Sequence, residues 1–278
     1  MYRLPLFIAL SLYAIQAASA IATPPEQAQE PRKKPDWTLQ VTPFLWAASL
    51  NGKVSPFQRG STLDVDKSFS DVMEHLRVGG FLNIWARQQR FVLSGNLMYV
   101  DTRDARASGP LSAFQIPGLG ITIPAGANVE GKVDSTQFMA TLLGGYRVLD
   151  TPEYTLDMLG GMRFWHISNS VSVTTSHPAI GSHSASYSED FKWVDPLVGM
   201  RAFFPLGDNW SVQSEADIGG FGAGSDLTWS VLASATYSFT DTLSASAGYK
   251  ALKVNYDHNG HVYNTLLSGP VVGMTWRF

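Results

Sequence analysis

The segment 226–239, DLTWSVLASATYSF, alternates from end to end. Leu227, Trp229, Val231, Ala233, Ala235, Tyr237 and Phe239 fall on one row, and Thr228, Ser230, Leu232, Ser234, Thr236 and Ser238 on the other. A period of two places each row on one face of a strand. In a soluble sandwich the apolar row would face a core and the hydroxyls water. In a membrane barrel the apolar row faces lipid, its aromatics sit at the interfaces, and the hydroxyls line the lumen. The neighbouring segment 209–221 divides in the same way, with Trp210, Val212, Ser214, Ala216 and Ile218 opposed to Ser211, Gln213, Glu215 and Asp217.

Working outward, similar segments recur from Trp37 to the last residue. About ten strands are expected, at 37–48, 76–87, 90–103, 131–148, 154–174, 186–204, 209–221, 226–239, 242–256 and 264–278. The links after even strands, RQQR, LDTPEY, PLGDNW and FTDT, are all tight. The long links, 49–75 and 104–130 above all, follow odd strands, although 222–225 is short as well. Long loops on one rim and tight turns on the other are the pattern of an outer-membrane barrel. The sheet must close, because an open edge in hydrocarbon leaves backbone groups unpaired. The expected fold is therefore all-β, a closed antiparallel transmembrane barrel of about ten strands. Eight or twelve are the alternatives, twelve if 49–75 or 104–130 holds another hairpin.

Composition agrees. Of 278 residues 45% are hydrophobic and only 15% charged, where soluble chains carry about a quarter. A formal charge of −3 offers no basic stripe for nucleic acid. The absence of cysteine excludes a disulfide framework and a thiolate metal site. Residues 1–20, MYRLPLFIALSLYAIQAASA, have the basic start, apolar run and small-residue ending of a secretory signal. Residues 21–36 are rich in proline and charge and are expected to form a flexible periplasmic leader, with the barrel spanning 37–278. The expected location is the outer membrane of a Gram-negative cell.

The C-terminus, LSGPVVGMTWRF (267–278), resembles the assembly signal of outer-membrane barrels through Gly273, Trp276 and Phe278, while Val271 stands where a polar residue is usual. Together with KWVDPLVGMR (192–201), ADIGGFGAGSDLTW (216–229) and WTLQVTPFLWAASLNGKV (37–54), it is similar to an uncharacterised family of proteobacterial outer-membrane proteins. The resemblance implies a barrel and its location, with lipids, lipopolysaccharide and the barrel assembly machinery as partners. It brings no catalytic residue.

Candidate chemistry starts from the inward rows, which carry Arg163, Asp195, Arg201, Glu215 and Asp217. Folding 186–204 onto 209–221 places Arg201 diagonal to Glu215. Glu215 and Asp217, like charges about 7 Å apart on one face, require nearby cations, which Arg163 and Arg201 can supply. The cluster reads as an ion network filling a narrow lumen or as a constriction that tunes solute charge. A general acid/base pair is the remaining alternative. The segment 68–77, SFSDVMEHLR, is expected to form one short helix capped by Ser70, on the extracellular side, as a plug or a surface element. His177, His183, Asp257, His258 and His261 offer metal donors in two loops, but no spacing matches a zinc motif. His166 points outward without a partner serine and acid for a hydrolytic triad. No cofactor, metal or catalytic residue is expected. The function read from the chain is a porin-like or structural barrel. The alternatives are an enzyme acting on envelope lipids and a surface binding or adhesion module working through its loops.

Overall fold

The computed structural model describes residues 37–58, 62–108, 114–116, 121–123, 128–177 and 181–278. The signal and leader segments lie outside these residues. Ten strands form one ring: β1 (Trp37–Trp46), β4 (Leu76–Gln88), β5 (Phe91–Ser108), β8 (Asn128–Asp150), β9 (Thr155–His177), β10 (Gly181–Leu206), β11 (Trp210–Gly220), β12 (Leu227–Ser238), β13 (Leu243–His258) and β14 (His261–Arg277). Each pairs antiparallel with the next, and β14 returns to β1 with Gln40 opposite Arg277 and Trp46 opposite Val271. The last residue completes the closure: Phe278 N–H donates to Leu39 O at 2.9 Å, and Leu39 N–H donates to Phe278 O at 3.2 Å. No backbone edge is left at the periplasmic end of this junction, as hydrocarbon requires.

The two long links hold further strands, which do not enter the ring. In 49–75, expected as a loop with a helix, β2 (Ser49–Ser55) runs on from β1 along β14 and turns back into β3 (Leu63–Lys67). In 104–130, β6 (Phe114–Ile116) pairs only with β7 (Ile121–Ile123). A hairpin in each link therefore leaves the ring at ten rather than twelve. The helix α1 (Phe69–His75) is capped by Ser68, not by Ser70. Ser68 Oγ accepts from Asp71 N–H, and the Asp71 carboxylate accepts from Ser68 N–H, a reciprocal capping box. The extra serine explains the two-residue difference: Ser70 Oγ lies 2.8 Å from Ser68 Oγ and serves the cap without being it. Ser68 side-chain and backbone donors hold the Asp71 carboxyl below its ordinary range.

The outer surface carries the expected apolar rows. Val231, Ile218, Val198, Met162, Leu142 and Val272 are each about half exposed, an area no soluble monomer of this size would present. Aromatics crowd the periplasmic strand ends: Phe91 against Tyr146 at 5.5 Å, Tyr154 against Phe204 at 6.2 Å, and Trp210 against Tyr237 at 5.1 Å. Trp276 and Phe278 continue this girdle. The wall is uneven in height. β9 has 23 residues and β10 has 26, whereas β11 has 11. At ~3.3 Å per residue and a tilt near 40°, β9 rises about 55 Å, roughly twice the ~25 Å apolar band.

Inward glycines let the small ring curve. A Cβ on Gly161 would lie 2.1 Å from Leu142 O on the next strand. Backbone flanks that position, so the clash cannot be relieved by a rotamer. Gly161→Ala should cost more than the ~1–3 kcal/mol typical of overpacking, read as a lower yield of heat-modifiable barrel on refolding. Normal refolding would show that the strands do not approach so closely.

Candidate functional site: the barrel lumen

Two layers fill the lumen. The periplasmic half is polar and the extracellular half aromatic. Arg163 on β9 reaches across to Asp217 on β11, two strands away, with Nη2 at 2.9 and 2.8 Å from the two carboxylate oxygens. Its Nη1 donates to Thr228 Oγ1 at 3.0 Å and its Nε to Thr141 Oγ1 at 3.1 Å. All three guanidinium nitrogens are thus engaged, and both charged residues are buried.

Arg201 lies directly opposite Glu215 in the β10–β11 register, not diagonal to it. Its Nη2 donates to Gln213 at 2.7 Å, and its guanidinium sits 4.8 Å from the centre of the Trp85 ring. The stacking gives the cation a partner face in addition to charge. Glu215 lies in the field of Arg201, Lys250 and Arg163. Asp195 stands apart from these groups. It accepts from Ser225 N–H at 2.6 Å, Ser225 Oγ at 2.8 Å and Trp193 Nε1 at 2.9 Å. It therefore anchors the short 221–226 turn inside the barrel mouth, where Ser225 is fully buried.

Lys250, Arg147 and Asp157 also belong to the network and were not read from the sequence. Lys250 on β13 points inward over Trp46 and Phe44, 5.1 and 5.5 Å from their ring centres. Arg147 on β8 pairs with Asp157 on β9, at 2.7 Å from Nε and 3.3 Å from Nη2. Arg163, Arg201, Lys250 and Arg277 share the polar layer with Glu215 and Asp217. The remaining polar space measures about 90 Å³, enough for a few waters.

Above this layer the lumen is dry. Trp165, Leu252, Val254, Met98, Met139, Tyr263 and Ile167 are all at most 2% exposed. His261, Phe191, Trp193 and Tyr256 form a stacked column, with ring centres 4.4 Å apart for His261–Phe191 and 4.2 Å for Trp193–Tyr256. Trp165 packs on Trp193 at 5.6 Å. Helix α1 has no buried residue, and side chains of the strands fill this layer. Tyr263 Oη donates to Gln137 Oε1 at 3.0 Å, whereas the buried Trp165 Nε1 and Trp46 Nε1 find no hydrogen-bond partner among the described residues.

Histidines lie at the extracellular end, each near a carboxylate: His75–Asp104 at 3.2 Å, His166–Asp190 at 3.6 Å, His258–Asp226 at 3.9 Å and His261–Glu189 at 3.3 Å. Among the described residues no three histidine or acidic side chains converge to hold a metal ion. The side chains of His177 and His183 lie outside the described residues.

No family model matches the chain, and no curated protein matches it in sequence. Among solved structures, the chain is similar to the outer membrane protease OmpT from Escherichia coli. Identity is 12%, coverage is 90% of this chain and 99% of that one, and the TM-score is 0.49. It is also similar to the translocator domain of the autotransporter NalP from Neisseria meningitidis, at 14% identity, covering 89% and 90%, with a TM-score of 0.45. The attachment invasion locus protein Ail of Yersinia pestis matches at 12% identity, covering 87% and 98%, with a TM-score of 0.29. What places this chain is its own surface: a closed ring of ten antiparallel strands, an apolar outer band and an aromatic periplasmic girdle make it an outer-membrane β-barrel.

Proposed function

We propose that the protein is a closed, non-catalytic outer-membrane barrel, a structural rather than a porin-like member of the class. The observation that carries this reading is the dry layer around Trp165, Trp193 and Leu252. An open pore would wet these side chains. The absence of catalysis is supported by how the acids are used: Asp217 is bound to Arg163, Asp157 to Arg147, and Asp195 to Ser225 and Trp193. A general acid must instead keep a proton available to a reacting group. A liposome-swelling assay tests the reading. Vesicles carrying the protein should swell in small sugars no faster than empty vesicles, and size-dependent swelling would refute it.

A second reading, a surface binding module, is favoured by the tall β8–β10 wall, which extends far beyond the apolar band.

The same proposal includes removal of the signal near Ala20, membership of the uncharacterised proteobacterial family, and delivery by the barrel assembly machinery through Gly273, Trp276 and Phe278. Phe278 also makes the last two backbone bonds of the closing seam, both with Leu39. Deleting it should reduce the amount of folded barrel recovered from outer membranes several-fold. Unchanged assembly would mean that the ending is a strand end only.

A further inference from the structure

The barrel wall is split on one side. β1 pairs with β4 from Trp37–Gln88 up to Phe44–Phe81, and no further. Above that rung the first strand stays with β14: Ala47 N–H donates to Pro270 O at 2.9 Å, and β2 continues the ladder from Ser49–Ser268 to Ser55–Val262. β4 stays with β5. Among the described residues, the β4 edge from Gly80 to Leu76 therefore has no strand partner on its β1 side, and β3 pairs with β2 alone. Phe44 lies seven residues above Trp37, which is about 18 Å along the membrane normal for a ~3.3 Å rise and ~40° tilt. The split thus begins in the outer half of a ~25 Å apolar band.

Behind the split lies a cavity of about 610 Å³ with predominantly apolar walls. Its lining combines two rows that a barrel wall normally separates. Met98, Ile167 and Tyr263 belong to the buried lumen row, whereas Leu45 and Val272 belong to the lipid-facing row at 69% and 51% exposure. Leu45 and the β4 edge beyond the last β1–β4 rung place one side of this cavity at the lipid-facing surface. α1 roofs it with Val72 and Met73, and Lys67, Asp71, His75 and Asp104 add both signs of charge to the lining. A cavity of ~150 Å³ already binds benzene, and small-molecule sites span roughly 300–1,000 Å³. In hydrocarbon, a dry space of this size and chemistry open to the outer leaflet is filled by the solvent at its door.

We propose that this cavity binds one acyl chain of a membrane lipid, which enters sideways through the split between β1 and β4 while its headgroup stays at the interface beside α1. The site borders the closed lumen and shares Met98, Ile167 and Tyr263 with its dry layer. The mixed charges of the lining do not select an anionic headgroup, so the chain itself is what the site recognises.

The test uses the full-length barrel in vesicles containing a trace of phosphatidylcholine with a nitroxide near one chain end, read by electron spin resonance. A motionally restricted component should saturate at about one lipid per barrel. Gly79 faces the cavity, and a Cβ there meets only the flexible Leu76 side chain, at 3.4 Å. Gly79→Trp should therefore fill the space and weaken the saturable component at least tenfold. Val72→Asp puts a carboxylate into the roof on a helix outside the ring, and should do the same even where Gly79→Trp folds poorly. Gly80 is on the opposite face with open space around it, so Gly80→Trp should leave the component unchanged. The proposal is overturned if no saturable component exists, if it survives both Gly79→Trp and Val72→Asp, or if nitroxide-labelled stearic acid is restricted while the phospholipid is not.

Discussion

Replacing Arg163 by leucine should destabilise the folded barrel by about 3–5 kcal/mol, the usual cost of stranding one partner of a buried ion pair. Asp217 would be left without the guanidinium that holds both its oxygens, in a layer where its side chain is 5% exposed. Thr141 and Thr228 would also lose their donor. Asp217→Leu alone should cost a similar amount by stranding Arg163. The double variant should regain much of the loss, because an apolar pair of similar volume removes both desolvation penalties together. Urea unfolding of barrels in vesicles reads all three. Additive losses, with no recovery in the double variant, would mean that the lumen is wet at this level and the pair screened.

Val231→Arg should cost about 2–4 kcal/mol, the penalty for a cation near the bilayer midplane on the lipid face. Val231 stands mid-strand on β12, 45% exposed, in the same outward row as Ala233 and Ala235. Its chain neighbour Ser230 faces the polar space in the lumen, so Ser230→Arg should be tolerated better. Equal damage from the two substitutions would contradict the assignment of faces.

Period-two alternation carried the faces and the strands, because lipid outside and protein inside impose opposite demands on adjacent residues. It also put Arg163, Arg201, Glu215 and Asp217 on inward rows. Which of them pair was not legible. Arg163 meets Asp217 across an intervening strand, and that contact depends on the curvature of the closed ring, which local register does not report. Arg201 and Glu215 are register neighbours, yet Arg201 turns to Gln213 and Trp85.

The aromatic core was legible in principle. Barrel aromatics were read as girdles, but parity places Trp165 on the row of Arg163 and Trp193 on the row of Asp195. A tryptophan two residues from an inward charge must itself point inward. The same parity would have found Lys250 beside Leu252. The split wall was not legible. LDVDK at β3 is too short an alternation to stand out, and nothing in β1 signals that its continuation leaves β4 for β14 alone.

Conductance tests most directly whether side chains close the lumen. In planar bilayers the folded wild-type protein should give no stepwise current, while a variant with Trp165 and Trp193 both replaced by alanine should show openings, because those stacked rings lie at the centre of the dry layer. Regular, voltage-tolerant steps from the wild-type protein would contradict the closed lumen.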